Sequence, residues 1–180
     1  VGNAALVQAS GEAAMRCPNR NCPGQIEKRV EYFASKSCVA ISGLGPATVQ
    51  KLVESGAVKN VADLYSLRRE DLISAGGSGA KSAGRILAAI EHSKRGETWR
   101  FINGLGIPQV GDTAARALAR HFGDLATLVR ARPSDFLQDG RPVIPGVKEG
   151  ASRAIIAHFL LTENVRIVDR LVAAGVRPDR

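Results

Sequence analysis

Apolar residues recur along this chain at helical spacing, in short runs that restart after glycine-rich turns. Residues 25–37 set Ile26, Val30 and Phe33 or Ala34 on one side and Lys28, Arg29 and Lys36 on the other, which predicts an amphipathic helix. A second is predicted from Pro46 to Glu54, with a proline at its first position and Gly56 just past its end. Shorter apolar groups at 61–67 and 70–73 lead to the next turn, and those at 124–128 and 134–137 do the same further on. A closing helix over 164–174 carries Val165, Val168, Leu171 and Val172 as one stripe before Gly175. The first fourteen residues have no helical period, and Val1, Leu6 and Val7 suggest a short strand or two.

The turns repeat. Ile41-Ser42-Gly43-Leu44-Gly45, Ala75-Gly76-Gly77-Ser78-Gly79, Ile107-Pro108-Gln109-Val110-Gly111 and Ile144-Pro145-Gly146-Val147-Lys148 align, their first positions 34, 32 and 37 residues apart (41 to 75, 75 to 107, 107 to 144). So regular a period marks one supersecondary unit used again. Three and four positions past each turn stand Thr48-Val49, Ser82-Ala83, Ala114-Ala115 and Ala151-Ser152, mostly small enough for helices to cross closely. Seven past it stands a large aliphatic residue: Leu52, Ile86, Leu118 or Ile155. A base follows in each helix: Lys51, Arg85, Arg116 or Arg153. This predicts a mainly α fold, a tandem helix-hairpin-helix array of four motifs in two pseudo-symmetric pairs, units one and two matching three and four.

The first amides of a helix have no intrahelical partner, and the helix dipole favours an anion beside them. Phosphate is the natural ligand. The formal charge of +8 and the pI near 9.9 agree with a polyanionic partner. Hydrophobic residues make up 44% but aromatics only 4%, which favours close-packed helices over a β-sandwich. No apolar run approaches the length of a membrane span, and three cysteines give no disulfide framework, so a cytoplasmic setting is expected. The start at Val1 rather than Met, and the stop at Arg180 just after a helix end, suggest a piece of something longer.

Cys17 and Cys22, set among Pro, Asn and Gly, can aim two sulfurs at one ion, which is half of a tetrahedral zinc site. Cys38, next to Val39 and Ile41, reads as a core residue. Trp99 reads as core at the seam between the halves, with Phe101, Ile102 and Leu105.

The run from Arg16 to Gln25, Ile41-Ser42-Gly43-Leu44-Gly45, Gly79-Ala80-Lys81-Ser82-Ala83 and the run from Leu105 to Ala114 together resemble the bacterial NAD-dependent DNA ligases, over nearly the whole chain and in the same order. The resemblance implies that residues 1–30 are the second half of a four-cysteine zinc finger, with Cys17 and Cys22 as two of its ligands, and that residues 31–180 are the helix-hairpin-helix domain. It implies a monomeric fragment of a DNA ligase, acting in replication and repair beside the bacterial nucleoid. The fragment would grip nicked double-stranded DNA through backbone phosphates in the minor groove, whatever the base sequence, while other domains of the parent bind NAD and magnesium. No Lys-x-Asp-Gly motif occurs, so no catalytic residue is assigned and the chain alone is expected to be inactive.

The DNA contacts expected are the amides at Gly43, Leu44, Gly45, Gly77, Ser78, Gly79, Val110 and Gly111, with Thr113 and Gly146 beside them, and the side chains of Lys51, Lys81, Arg85, Arg116 and Lys148. Lys148 departs from the pattern, standing where the fourth turn would close with glycine. Arg68, Arg69, Arg130 and Arg132 read as solvated faces. Two rival readings are a helix-hairpin-helix base-excision glycosylase or lyase and a protein-interaction module. Against the first, Lys148 sits within the turn rather than after it, where that chemistry needs a nucleophilic lysine.

Overall fold

Pro23 opens helix α1 (Pro23–Ala34) because its ring presets φ and its missing N–H would find no partner in a first helical turn. The computed structural model describes residues 22–76 and 79–178, together with the backbone of residues 7–8 and 15–16. After α1 come α2 (Pro46–Glu54), a 3-10 helix (Val61–Ser66), α3 (Arg69–Ser74) and α4 (Ala80–Ser93). The second half runs through α5 (Thr98–Gly104), α6 (Asp112–Phe122), α7 (Leu125–Val129), a 3-10 turn (Pro133–Asp135) and α8 (Glu149–Phe159), and α9 (Thr162–Ala173) closes it. Ahead of α1, β1 (Val7–Gln8) pairs antiparallel with β2 (Met15–Arg16), in and just beyond the stretch where short strands are expected. Cys17 lies outside the described residues. The domain division expected after residue 30 falls within α1, whose Val30 and Phe33 belong to the core of the array.

The caps reveal the duplication. The side chain of Asn60 accepts from the Ala62 amide at 3.0 Å, and that of Asp124 accepts from the Thr127 amide at 2.7 Å. Eleven residues later (60 to 71, 124 to 135), Asp71 accepts from the Arg68 amide and Asp135 from the Arg132 amide, each at 2.8 Å. Beyond that point the halves diverge. Unit two leads into its turn by α3, but unit four inserts a hairpin, β3 (Leu137–Gln138) against β4 (Arg141–Pro142). Asp139 and Gly140 at its tip have φ of 49° and 75°, the left-handed pair that a two-residue hairpin turn demands. The plain helical lead expected here is therefore corrected: the Asp-Gly dipeptide carried the hairpin signal.

The two halves share one core. Phe33 of α1 meets Tyr65 and Phe101 edge-on, at 6.4 and 6.0 Å between ring centroids. Tyr32 donates to the Asn103 side chain, and Arg100 donates to the carbonyls of Lys36 and Cys38, so α5 is bonded to α1 and the loop behind it. At the far end, Arg170 of α9 pairs with Asp63 at 2.7 Å and ties the last helix back to the first half. Cys38 and Trp99 are buried, as the sequence pattern indicates. Among the described residues, no helix is long and apolar enough to cross a membrane.

Candidate nucleic-acid interface

Each hairpin turn solves the same packing problem. Its first and fourth positions, Ile41 and Leu44, Ile107 and Val110, Ile144 and Val147, are buried, while the second, third and fifth are exposed. Ala75 departs from this, being half-buried at the C-cap of α3, and Gly77 and Ser78 lie outside the described residues. The second helix of every unit then inserts two side chains into the core: Val49 and Leu52, Ala83 and Ile86, Ala115 and Leu118, Ser152 and Ile155, none more than 1% exposed. The apolar half of the motif thus holds the turn, and the start of the second helix is left facing outward.

Contacts between turns confirm the pairing of units. A Cβ on Gly43 would lie 2.7 Å from Cγ1 of Ile86 in α4, so the first turn sits on the second unit. A Cβ on Gly146 would lie 3.4 Å from Cβ of Ala117 in α6, and the Gln109 side-chain amide rests against Gly150 of α8. Units one and two therefore interlock, as do three and four.

The third turn position has left-handed φ: 90° at Gly43, 62° at Gln109 and 87° at Gly146. The fifth does not. Gly45, Gly79 and Gly111 are extended N-caps, and Lys148, with φ −77° and ψ 162°, has the same geometry. A lysine there closes the fourth turn without distortion. Among the described residues, nothing approaches the missing Cβ of Gly45, Gly79 or Gly111 within 4 Å. Neither backbone conformation nor packing among the described residues therefore requires glycine at these three positions.

Among the described residues, no side chain caps the starts of α2, α4, α6 or α8. The first residues of these helices are mostly exposed, as are Lys81, Arg85, Thr113 and Lys148 beside them. Several expected contacts are partly or wholly engaged within the protein. The Val110 amide bonds the Ile107 carbonyl at 3.1 Å within the turn, which leaves Gly111 and the residues after it to face a ligand. The Leu44 side chain is buried, so only its backbone could take part. Lys51 donates to the Gly76 carbonyl at 2.6 Å, holding the second turn to α2. Arg116 pairs with Asp112 at 3.1 Å and sets its guanidinium carbon over Trp99, 3.6 Å from the ring centroid, while Arg153 pairs with Glu149 at 2.8 Å. Both acids stand in the first turn of their helices, a feature the sequence reading passed over.

For the metal site, the described residues supply Cys22 alone of the expected pair, buried at the N-cap of α1. Among the described residues no three His, Cys, Asp or Glu side chains gather as a metal site would require. What is present there does not complete a tetrahedral set.

Residues 100–168 match a family described as a helix-hairpin-helix motif, and residues 39–91 match one described as a SAM-like helix-hairpin-helix tandem. The chain is 51% identical over 174 residues to DNA ligase 1 of Opitutus terrae, covering 97% of the chain and 26% of that protein. It is 39% identical over 173 residues to a DNA ligase of a Thermoanaerobacter species and 41% identical over 170 residues to that of Carboxydothermus hydrogenoformans. The chain spans about a quarter of the length of these curated relatives.

Proposed function

We propose that this chain, a helix-hairpin-helix array similar along nearly its whole length to one quarter of the DNA ligases, is the part of an NAD-dependent ligase that holds nicked duplex DNA. The observation that carries the reading is the set of three glycine N-caps at exposed, uncapped helix starts, where neither φ nor packing requires glycine. Backbone amides at such a start donate to a phosphate oxygen, and the helix dipole adds to the attraction. Lys81, Arg85 and Lys148 contribute charge. Contacts of this kind position a duplex and do not read its bases, so binding is independent of sequence. Two interlocked pairs of hairpins would meet the minor groove on either side of a nick.

The chain supplies no group for adenylation or nick sealing. NAD and magnesium belong to other parts of the parent, and the chain works as a monomer in the bacterial cytoplasm, at the nucleoid, during replication and repair. Cys17 and Cys22 would provide two of four thiolates for a structural zinc whose remaining ligands come from outside residues 1–180.

Fluorescence anisotropy of the 180-residue chain on a labelled nicked duplex, titrated with salt, tests this. Several phosphate contacts predict a log–log slope of about −3 or steeper, unchanged when the base sequence is changed. A slope near zero would refute phosphate docking. Sealing of the nick by the chain alone, with NAD and magnesium, would refute the division of labour.

A further inference from the structure

The four helix starts are not electrostatically alike. In the first pair, α2 and α4 open with Pro46 and Ala80, and neither has an acid in its first turn. Lys81 and Arg85 stand exposed on α4, with no acidic partner among the described residues. In the second pair, α6 opens with Asp112 and α8 with Glu149, each one residue past the N-cap. Each acid holds the arginine one turn on, Arg116 at 3.1 Å and Arg153 at 2.8 Å. A carboxylate in that position offsets the positive end of the helix dipole and repels a second anion. It also occupies the base that would otherwise reach outward. Arg116 is held further by its stack on Trp99, with Arg100 near the same ring at 4.6 Å.

We propose that Asp112 and Glu149 weaken the grip of the second hairpin pair on phosphate, so that the first pair carries most of the affinity for DNA. This rests on the phosphate-docking reading above and adds a ranking within it. The second pair is built as the looser half of the clamp. Its acids stabilise their own helices and lower the affinity of the same helices for the duplex.

The test is the salt-dependent anisotropy measurement on four variants, with melting temperature recorded for each. Asp112→Asn and Glu149→Gln should each tighten binding to the nicked duplex by about twofold to fivefold. Ala80→Glu, which gives α4 an acid at its start as α6 and α8 have, beside Arg69 that donates to the Ala80 carbonyl at 2.9 Å, should weaken it by a similar factor. Glu91→Gln makes the same change in net charge as Asp112→Asn and Glu149→Gln but at the far end of α4, where Glu91 pairs with Lys94, and should leave affinity within about 1.5-fold at moderate salt. The ranking is overturned if the parent chain binds with a steep slope while Asp112→Asn and Glu149→Gln fail to tighten binding, or if Glu91→Gln tightens it equally. A parent chain without salt dependence overturns the docking reading itself, and the ranking with it.

Discussion

Gly43→Ala should be among the most damaging single-atom additions to the surface of this protein, for two separable reasons. Gly43 has φ of 90°, where a Cβ costs about 1–2 kcal/mol against glycine. The new Cβ would also lie 2.7 Å from Cγ1 and 3.6 Å from Cδ1 of Ile86. Ile86 is 1% exposed and cannot swing aside, so overpacking adds about 1–3 kcal/mol. The sum is about 2–5 kcal/mol, against the roughly 5–15 kcal/mol by which a domain is stable. For a chain of this length that corresponds to a fall in melting temperature of roughly 5–15 °C, measured by circular dichroism. A double-mutant cycle separates the causes. In an Ile86→Ala background the steric part disappears, and Gly43→Ala should cost only the conformational 1–2 kcal/mol or so. Equal costs in the two backgrounds would show that the first turn does not rest on α4. The interlocking of the first pair would then be wrong.

Gly104→Ala should cost about 1–3 kcal/mol in chemical denaturation, because its Cβ would sit 2.8 Å from Cδ2 of buried Phe33, where α5 crosses α1. Ser152→Ala should do the opposite and raise stability by about 1 kcal/mol, since the buried Ser152 hydroxyl finds no hydrogen-bond partner among the described residues. Asp124→Ala should lose about 1 kcal/mol with the cap of α7, read as earlier hydrogen exchange at Thr127. Lys51→Met and Lys81→Met should part company in the salt titration. Lys81→Met flattens the slope by about one, whereas Lys51→Met lowers the melting temperature and leaves the slope nearly unchanged, its ammonium being engaged with the Gly76 carbonyl.

The periodic residues were legible because a helix-hairpin-helix unit is specified locally. Pro46, Gly56, Gly123 and Gly175 punctuate helices through their own φ, and Ile41, Leu52, Ile107 and Leu118 fall in the core by spacing alone. Even the chain's duplication is written in short-range caps such as Asn60 with Asp124. The Asp139-Gly140 hairpin is equally local, since that dipeptide alone supplies the left-handed pair the turn needs.

The functions of individual bases were legible only in part, where an acid stands four residues away. Lys51, Arg116 and Arg153 occupy nearly the same place in the repeat, yet one holds a carbonyl of the neighbouring turn, one lies on Trp99 and pairs with Asp112, and one pairs with Glu149. Their charge is a property of the residue, but its availability depends on what packs within reach. Likewise the sequence specified glycines at both the third and fifth turn positions without distinguishing them. The tertiary structure shows Gly43 and Gly146, at the third position, held by left-handed backbone and by the partner unit, and Gly45, Gly79 and Gly111, at the fifth, by neither among the described residues. Repeats, helices and core faces follow from interactions a few residues apart, which the linear order contains. The i,i+4 acids that hold Arg116 and Arg153 are also in the linear order, but the seat of Arg116 on Trp99, 17 residues back, and of Lys51 on the Gly76 carbonyl, 25 residues on, exists only once folding brings those residues together.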